Sequence, residues 1–561
     1  MTRYLITSAI PYVNGVKHLG NLIGSLLPAD VHTRFRRQTG QDVLFICGTD
    51  DHGTPTELSA AAAGEDVAAY CDRHHAIQAD IYRRFGLSFN YFGRSSSNSN
   101  HRLTQHFYRR LAAADLIEER DHQQYWSAVD ERFLPDRYIL GTCPECGDEN
   151  ARGDQCERCG ALLDPLDLVN PRSALSGDRD LEYRTSRHLF LCQSKKVNCI
   201  RDWIAQHDKW PAWVRSLALG WLTDHLRDRC ITRDLAWGIP VPRPGFENKV
   251  FYVWFDAPIA YISATQEWAA LDPAQRDWRK WWWDPSDVRY IQFLGKDNVP
   301  FHAVSFPVTL LGSGEPWKTA DVIKGFHWLT YEGGKFSTSQ KRGVFTDAAL
   351  DALPADLWRW WLIANAPENG DVDFQIRRFA QDVGKDLADV FGNLATRVST
   401  FTESRFNDRI PIAGEPGPAE IGLAREVDER LEALREHHEN LEFRRAAAET
   451  RALWALANRY FQDQAPWGLL ASDPDRASVA TRFAANLVAL CAAVSWSIIP
   501  TLASQVLAKL GAPSDRPAWP AGPAIAHLNA NGGKPIRRIP PPVSKLTEQE
   551  VADLEVRFGG G

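Results

Sequence analysis

The first apolar run, Tyr4 to Ile10, is short and ends at Pro11-Tyr12-Val13-Asn14-Gly15, so it predicts a buried strand and then a turn. A helical segment is predicted from about His18 to Gln38, with Gly40 as its C-cap. Val43-Leu44-Phe45-Ile46-Cys47, just after Asp42, reads as a second buried strand and closes a βαβ unit. Residues from about 118 to 227 break this rhythm. Strand-like runs resume at Val250-Phe251-Tyr252-Val253-Trp254-Phe255 and Tyr290-Ile291-Gln292-Phe293-Leu294. Beyond about 380 the period changes: Val383, Leu387, Val390, Leu394, Val398 and Phe401 recur at helical spacing, an amphipathic stripe for a bundle. Phe483 to Ala503 is long enough to raise a transmembrane question. It contains Asn486, Ser495, Ser497 and Pro500 and no adjoining basic cluster, so it reads as a buried bundle helix. Ala512 to Pro542, rich in Pro and Gly, reads as a poorly structured connection to a short terminal helix.

The expected class is therefore α/β, a Rossmann-type doubly wound parallel sheet with an inserted connective domain, followed by an α-helical bundle. The expected divisions are 1–117 and 228–325 for the two halves of the sheet domain and 118–227 for the insertion. They continue as 326–385 for a loop region, 386–545 for the helical domain and 546–561 for a tail.

A length of 561 residues is too much for one core and suggests roughly three or four domains. Composition is that of an ordinary soluble protein, and a net charge of −7 excludes a wholly basic nucleic-acid coat while leaving room for a local basic face. The N-terminus carries no targeting signal, so a cytoplasmic location without membrane attachment is expected. Six cysteines (Cys47, Cys71, Cys192, Cys199, Cys230, Cys491) are scattered in apolar or mixed contexts, as small buried hydrophobes are in a reducing compartment. The other four form CxxC, nine residues, CxxC: Cys143, Cys146, Cys156 and Cys159. Each pair can chelate from one turn, and four thiolates fill a tetrahedral shell, so one structural Zn²⁺ is expected; free thiols or disulfides are the alternative.

Two segments carry candidate chemistry. His18-Leu19-Gly20-Asn21 stands where turn passes into helix, with His18 and Asn21 at i and i+3 and a helix N-terminus suited to phosphate. Gly20 would let a nucleotide approach the backbone. Gly333-Gly334-Lys335-Phe336-Ser337-Thr338-Ser339, near Lys341 and Arg342, is a glycine-hinged, hydroxyl-rich loop able to close over a triphosphate. In isolation the first also reads as a cap histidine and the second as a basic surface turn.

Together, HLGN and KFSTS resemble the HIGH and KMSKS signatures of class I aminoacyl-tRNA synthetases. With PYVNGVKHLGN, CGTDDHGTP, FYVWFDAPIAY, FLGKDNVPFH and GGKFSTS in order, the chain resembles methionyl-tRNA synthetases over nearly its whole length. The wording is closest to the archaeal and eukaryotic-like branch, which also occurs in some bacteria. The resemblance implies a methionine–tRNA ligase using ATP with Mg²⁺, L-methionine and tRNA(Met), serving initiation and elongation. Ala9, Ile10, Pro11 and Tyr12 would form one wall of the amino-acid pocket, and Asp50 would accept hydrogen bonds from the substrate ammonium. Trp254, Ala257, Pro258 and Tyr261 would line the thioether side, with His302 nearby; core packing is the alternative for any single aromatic among them. Asn298 and Phe306 stand where other bacterial forms carry bulkier apolar residues. Gly295 and Asp297 resemble ATP-ribose contacts, and Arg233 is a weaker candidate for the activated intermediate. His18, Gly20, Asn21, Lys335 and Thr338 would contact ATP, with Ser337, Ser339 and Lys341 completing the catalytic loop.

In the helical domain Asn393 and Arg397, at i and i+4, match with Trp467 the family's anticodon-binding residues; without the resemblance they read as a flanking polar pair and a packing tryptophan. The chain stops after Arg557-Phe558-Gly559-Gly560-Gly561 without the appended domain of some relatives, so a monomer is expected.

One letter departs. Thr338 stands where the loop signature has its second lysine, and a threonine cannot place positive charge on the transition state, so Lys341 or Lys335 is expected to substitute. Two further readings stay open: another class I synthetase, whose large editing insertion this length leaves no room for, and a tRNA-binding paralogue that does not aminoacylate. Met1 is also the only methionine, as drift, synthesis during methionine scarcity or a specialised, inhibitor-tolerant second copy would leave it.

Overall fold

The computed structural model describes residues 2–154, 156, 158–159, 161, 163–223, 226–283, 285–336 and 342–558, without the side chains of residues 223 and 335. Five parallel strands among these form the central sheet: β1 (Arg3–Ser8), β2 (Asp42–Thr49), β3 (Tyr91–Arg94), β4 (Val288–Gly295) and β5 (Val322–Phe326), in the order β5-β4-β1-β2-β3. Leu5, Ile6, Leu44, Phe45, Phe293 and Leu294 are all buried, as the strands of a sheet covered on both faces must be. The chain leaves β1 towards β2 and β3 and returns on the other side of β1 at β4. That reversal opens a crevice at the carboxyl ends of β1 and β4, the place where α/β sheets bind ligands.

The helix after β1 runs through Leu19–Asn21, Leu22–Leu26 and Leu27–Gln38, the middle stretch being a π turn. Its Leu27 N–H bonds back five residues to the Leu22 carbonyl, one position before Pro28. The wider turn lets the helix pass a residue that has no N–H of its own. Gly40 ends the helix as expected, with φ +77° and its N–H on the Arg37 carbonyl.

The insertion is built on a long antiparallel ladder of Ile117–Ser127 and Leu181–Leu191, and the cysteine-bearing segment lies between its arms. Helices follow the sheet: Ile376–Val383, a π stretch Gly384–Gly392 and Asn393–Arg405, then Pro418–Glu439, Phe443–Gln464, Pro474–Ser495 and Pro500–Lys509, with Glu548–Phe558 last. The helix Pro474–Ser495 is long and apolar enough to cross a membrane, but its most apolar window is 89% buried, as a bundle helix should be; the expected run from Phe483 to Ala503 breaks after Ser495 and resumes as a second helix at Pro500.

Three expectations need correction. The run Val250 to Phe255 is strand only at Val250–Phe251; Tyr252 donates its N–H to the Ile231 carbonyl and becomes the N-cap of a helix at Val253–Asp256. Residues buried on every side give no period to tell strand from helix. In the stripe after 380, Phe391 is buried in place of Val390, because the π stretch shifts the face by one residue. The Pro/Gly-rich segment is irregular but not loose. Trp519, Leu528, Ile536 and Ile539 are buried. Its backbone is tied by Trp519 N–H to the Gln38 carbonyl (3.0 Å), Ile536 N–H to Asp408 (2.8 Å) and Ile539 N–H to the Ser399 hydroxyl (3.0 Å).

Candidate active site

At the carboxyl end of β1 the chain is zipped to the end of β2. Asp50 donates its N–H to the Pro11 carbonyl (2.8 Å) and accepts the Val13 N–H (3.1 Å), which fixes Pro11 and Tyr12 beside the Asp50 carboxylate. Asp50 is 4% exposed, and its nearest side-chain partner is the Ser95 hydroxyl at 3.4 Å. Its neighbours are otherwise paired: Asp51 accepts from Arg94 (2.7 Å) and Ser96, and Asp256 faces His52 (2.8 Å). Burial, then the charges of Asp256 and Asp51, pushes the Asp50 carboxyl well above the usual range. A buried carboxylate held this way gains most from an incoming cation.

Around it the aromatic residues form hydrogen-bonded pairs. The Trp254 indole donates to the Tyr12 hydroxyl at 2.7 Å, and the Trp254 ring lies 4.1 Å from that of Phe301. Tyr252, Val253 and Ala257 form a small apolar cluster against which Ile10, Tyr12 and Trp254 pack. Ala9 is anchored by its N–H on the Phe293 carbonyl (2.8 Å), and Pro258 and Tyr261 are buried. His302 is held from both sides: Nδ1 faces the Asn298 carbonyl (3.1 Å) and Nε2 the Tyr261 hydroxyl (3.0 Å). The carbonyl can only accept, so the ring proton sits on Nδ1 and the Tyr261 hydroxyl donates to Nε2. Burial pushes His302 down to about 4, so this imidazole is neutral. Phe306 packs 6.5 Å from the Tyr261 ring.

The two signature segments meet. Leu19 donates to the Val344 carbonyl (3.0 Å), and Thr346 donates both its N–H and its hydroxyl to the Lys17 carbonyl (2.8 Å each). Phe336 stacks on His18 with centroids 4.7 Å apart, and Tyr331 flanks Phe336 at 5.4 Å. A Cβ on Gly343 (φ +115°) would overlap the Phe336 ring. Gly20 has a role the sequence did not suggest: a Cβ there would stand 2.9 Å from Nδ1 of His18, so the glycine makes room for the imidazole. Asn21 turns its Oδ1 back to the His18 N–H (3.3 Å), and the first helical N–H is engaged by Val344, so part of the expected phosphate cradle is used internally. Burial, then the charge of Lys17, pushes His18 down to about 3. Ser337, Thr338, Ser339 and Lys341, and the side chain of Lys335, lie outside the described residues.

Gly295 and Asp297 close β4. Asp297 is exposed, and a Cβ on Gly295 would meet its carboxylate at 2.7 Å. Arg233 is engaged by Asp136 (2.8 and 3.2 Å) and lies 3.8 Å above the Tyr252 ring, facing a cleft also lined by Tyr12, Trp237 and Trp254.

In the insertion, the sulfurs of Cys143, Cys146, Cys156 and Cys159 lie within 4.8 Å of one another, with Cys143–Cys159 at 3.9 Å and Cys146–Cys156 at 3.6 Å. In a tetrahedral tetrathiolate with metal–sulfur bonds of about 2.3 Å, sulfurs are about 3.8 Å apart, so the four can hold a metal ion. A second group, Glu118, Cys192 and Asp228, has its carboxylates taken by Arg120 and Lys195.

At the far end of the bundle Asn393 is exposed. Arg397 donates to the Gln462 side chain (2.8 Å) with its guanidinium 5.6 Å from Phe461. Trp467, 43% exposed, stands edge-on to Phe461 (5.5 Å) and Phe401 (6.3 Å). Phe461 was missed because it looked like one more core position of its helix.

A 5-4-1-2-3 parallel sheet with a histidine-led helix at its switch point, and a downstream loop stacked on that histidine, is the arrangement of a nucleotide-binding α/β enzyme, and the family comparison makes it a class I aminoacyl-tRNA synthetase. A family model described as tRNA synthetases class I (M) matches residues 4–399, and one for the anticodon binding domain of methionyl tRNA ligase matches residues 410–561. The chain belongs to the methionyl-tRNA synthetase family. It is 54% identical to a methionine–tRNA ligase of Caulobacter vibrioides and 50% identical to one of Streptomyces avermitilis, covering 100% of both chains in each comparison. The fold is also similar to Mycobacterium tuberculosis methionyl-tRNA synthetase in complex with methionyl-adenylate. There the TM-score is 0.76 and identity 25%, over 97% of this chain and 99% of that one. These relatives are bacterial and give no support to an archaeal or eukaryotic-like branch.

Proposed function

We propose that the site works as follows in the methionine–tRNA ligase reaction. Asp50 accepts the methionine ammonium, while Ala9 to Tyr12, Trp254, Ala257, Pro258, Tyr261, Asn298 and His302 enclose the side chain. A carboxylate oxygen of methionine attacks the α-phosphorus of ATP, the bond to the β-phosphate bridging oxygen breaks, and pyrophosphate leaves. The terminal adenosine hydroxyl of tRNA(Met) then attacks the carbonyl carbon, and AMP leaves. No side-chain nucleophile takes part; rate comes from positioning and charge stabilisation. His18, neutral and fixed by Gly20 and Phe336, offers one N–H donor beside the helix N-terminus; Gly295 and Asp297 face the ribose. Lys335, Ser337, Thr338, Ser339 and Lys341 follow the leaving phosphates, with Lys341 or Lys335 covering for Thr338. Mg²⁺ arriving with ATP would supply positive charge to the leaving phosphates, and Cys143, Cys146, Cys156 and Cys159 would hold one structural Zn²⁺.

Asn393, Arg397 and Trp467 read the anticodon. Residues 1–117 and 228–325 carry the chemistry, 118–227 is the connective insertion, 326–385 is the loop and stem-contact region, 386–545 binds the anticodon and 546–561 is the tail. A cytoplasmic monomer completes the reading.

The observation that carries it is Asp50, a buried carboxylate with no ion-pair partner among the described residues, walled by two hydrogen-bonded aromatic pairs. Methionine-dependent ATP–pyrophosphate exchange tests it. The protein should exchange, and Asp50→Asn should raise KM for methionine about 100-fold, the loss of a charge-assisted anchor. Exchange absent from folded protein would leave the non-aminoacylating reading.

A further inference from the structure

Lys17 takes no part in the roles above, yet it immediately precedes His18 and its ammonium is close enough to Asp50 for the two charges to act on each other. Its carbonyl is fixed by two hydrogen bonds from Thr346, and its side chain is nearly enclosed, at 6% exposure. The ammonium donates to Oδ1 of Asn14 at 2.5 Å. Among the described residues that is its one hydrogen-bond partner, so two of its three N–H groups point at no acceptor. A buried ammonium resting on one neutral amide is costly unless an anion joins it.

The groups around it say which anion. From the turn come Asn14 and neutral His18, from the end of β2 the Asp50 carboxylate, and from the helix Val67–Arg84 His74. Burial brings the Lys17 ammonium down to about 7 and the Asp50 charge pulls it up, so it is poised to gain from a second negative charge. Of the other cations near the pocket, Arg94 is paired with Asp51 and Asp72 and Arg233 with Asp136, while Arg229 lies over the Trp254 and Phe301 rings (5.4 and 4.6 Å), on the side expected to take the thioether. An α-amino acid carries its ammonium and its carboxylate on the same carbon. If Asp50 answers the first, the second must lie a few ångströms away, and Lys17 is the buried cation whose charge acts on both Asp50 and His18.

We propose that Lys17 is a substrate contact that binds the reacting α-carboxylate of methionine, so that Asp50 and Lys17 together read the amino-acid zwitterion. This rests on the reading of Asp50 as the ammonium acceptor. The ammonium would hold the attacking oxygens on the His18 side, where the α-phosphate arrives. Once the acyl–phosphate bond forms, the negative charge it faces moves to the adenylate phosphate.

Methioninol, which has the ammonium and thioether but an alcohol in place of the carboxylate, separates the two contacts. In ATP–pyrophosphate exchange, Lys17→Met should raise KM for methionine by about 10- to 100-fold, the worth of one charge-assisted hydrogen bond. The inhibition constant of methioninol and KM for ATP should stay within about twofold, and Lys17→Arg should recover part of the loss. Asn14→Ala, which frees the ammonium without removing it, should weaken methionine selectively as well, and serves if Lys17→Met does not fold. Equal weakening of methionine and methioninol, or no weakening of either, overturns the proposal. Asp50→Asn is the separate control: it should weaken both ligands alike, and if methioninol is unaffected there, the Asp50 reading has failed instead.

Discussion

Single side chains set the geometry of the signature helix. The His18 imidazole lies between Phe336 and the Cα of Gly20, and a methyl group at residue 20 would sit 2.9 Å from Nδ1. Gly20→Ala must therefore tilt the ring off Phe336, while the proposed methionine pocket, at the ends of β1 and β2 and the segment 252–261, is untouched. The expected outcome is a fall in the activation rate of about 10- to 100-fold, the usual penalty for an ångström of misplacement, with KM for methionine changed less than about threefold. Pyrophosphate-exchange kinetics measure both. His18, Asp50 and Tyr12 were legible because their letters recur as family motifs. Gly20 was legible only as a letter: its partner is a ring two residues away, and the clash exists only once the helix is wound. Phe336 and Phe301 sat inside quoted motifs and still read as filler, and Lys17 was silent because a lone lysine before a helix is normally solvated.

At the scale of elements, the helix Pro418–Glu439 is pressed against the helix after β1 through His438, which stacks on Phe35 at 4.7 Å and meets Trp519 edge-on at 5.9 Å. Among the described residues neither ring nitrogen of His438 has a partner. Burial, then Arg36 and His437, pushes it down to about 3. A histidine whose folded value lies below its unfolded one, about 6.5, contributes stability above the unfolded value. That contribution is lost as pH falls from there towards about 3, because the unfolded chain takes up the proton first. At pH 5 the loss from this one group amounts to about 2 kcal/mol. His438→Phe keeps the stack and removes the titration. Thermal melts should then show the variant gaining on the parent as pH drops from 7 to 5; a constant gap between the two curves would remove His438 from the account. The helical stretch Ile376–Arg405 shows where periodicity stops being legible. A stripe counted at 3.6 residues per turn reached Leu387 correctly and then named Val390 in place of Phe391, since nothing in the letters announces a π turn.

Across the whole molecule, one helix joins the catalytic sheet to the end of the bundle proposed to read tRNA. Phe443–Gln464 has 22 residues and so spans about 33 Å. At its start, Glu368 accepts the N–H groups of Phe443 (3.2 Å) and Arg444 (3.0 Å) and pairs with Lys324 of β5 (2.7 Å), the first and last of these contacts being buried. At its other end stand Phe461 and Gln462, the residues against which Trp467 and Arg397 are held. The alternation of strands and helices made the sheet and the bundle legible separately. The strut between them was not, because Glu368 and Lys324 are 44 positions apart and look like ordinary surface charges in the sequence. Glu368→Gln leaves Lys324 charged and buried without its anion, a change that costs about 3–5 kcal/mol where such pairs are broken. The proposed methionine contacts from Ala9 to Tyr12 and at Asp50 follow β1 and β2, neither of which pairs with β5, so pyrophosphate exchange should stay within about threefold. Charging of tRNA(Met) should fall about tenfold or more, because the bundle is no longer held in register with the site. Arg397→Ala tests whether the strut is the path: it removes the far contact without touching Glu368. If the helix carries the positioning, the double variant should charge tRNA little worse than the poorer single variant. If the two losses multiply in full, the ends act independently and the helix is only a support.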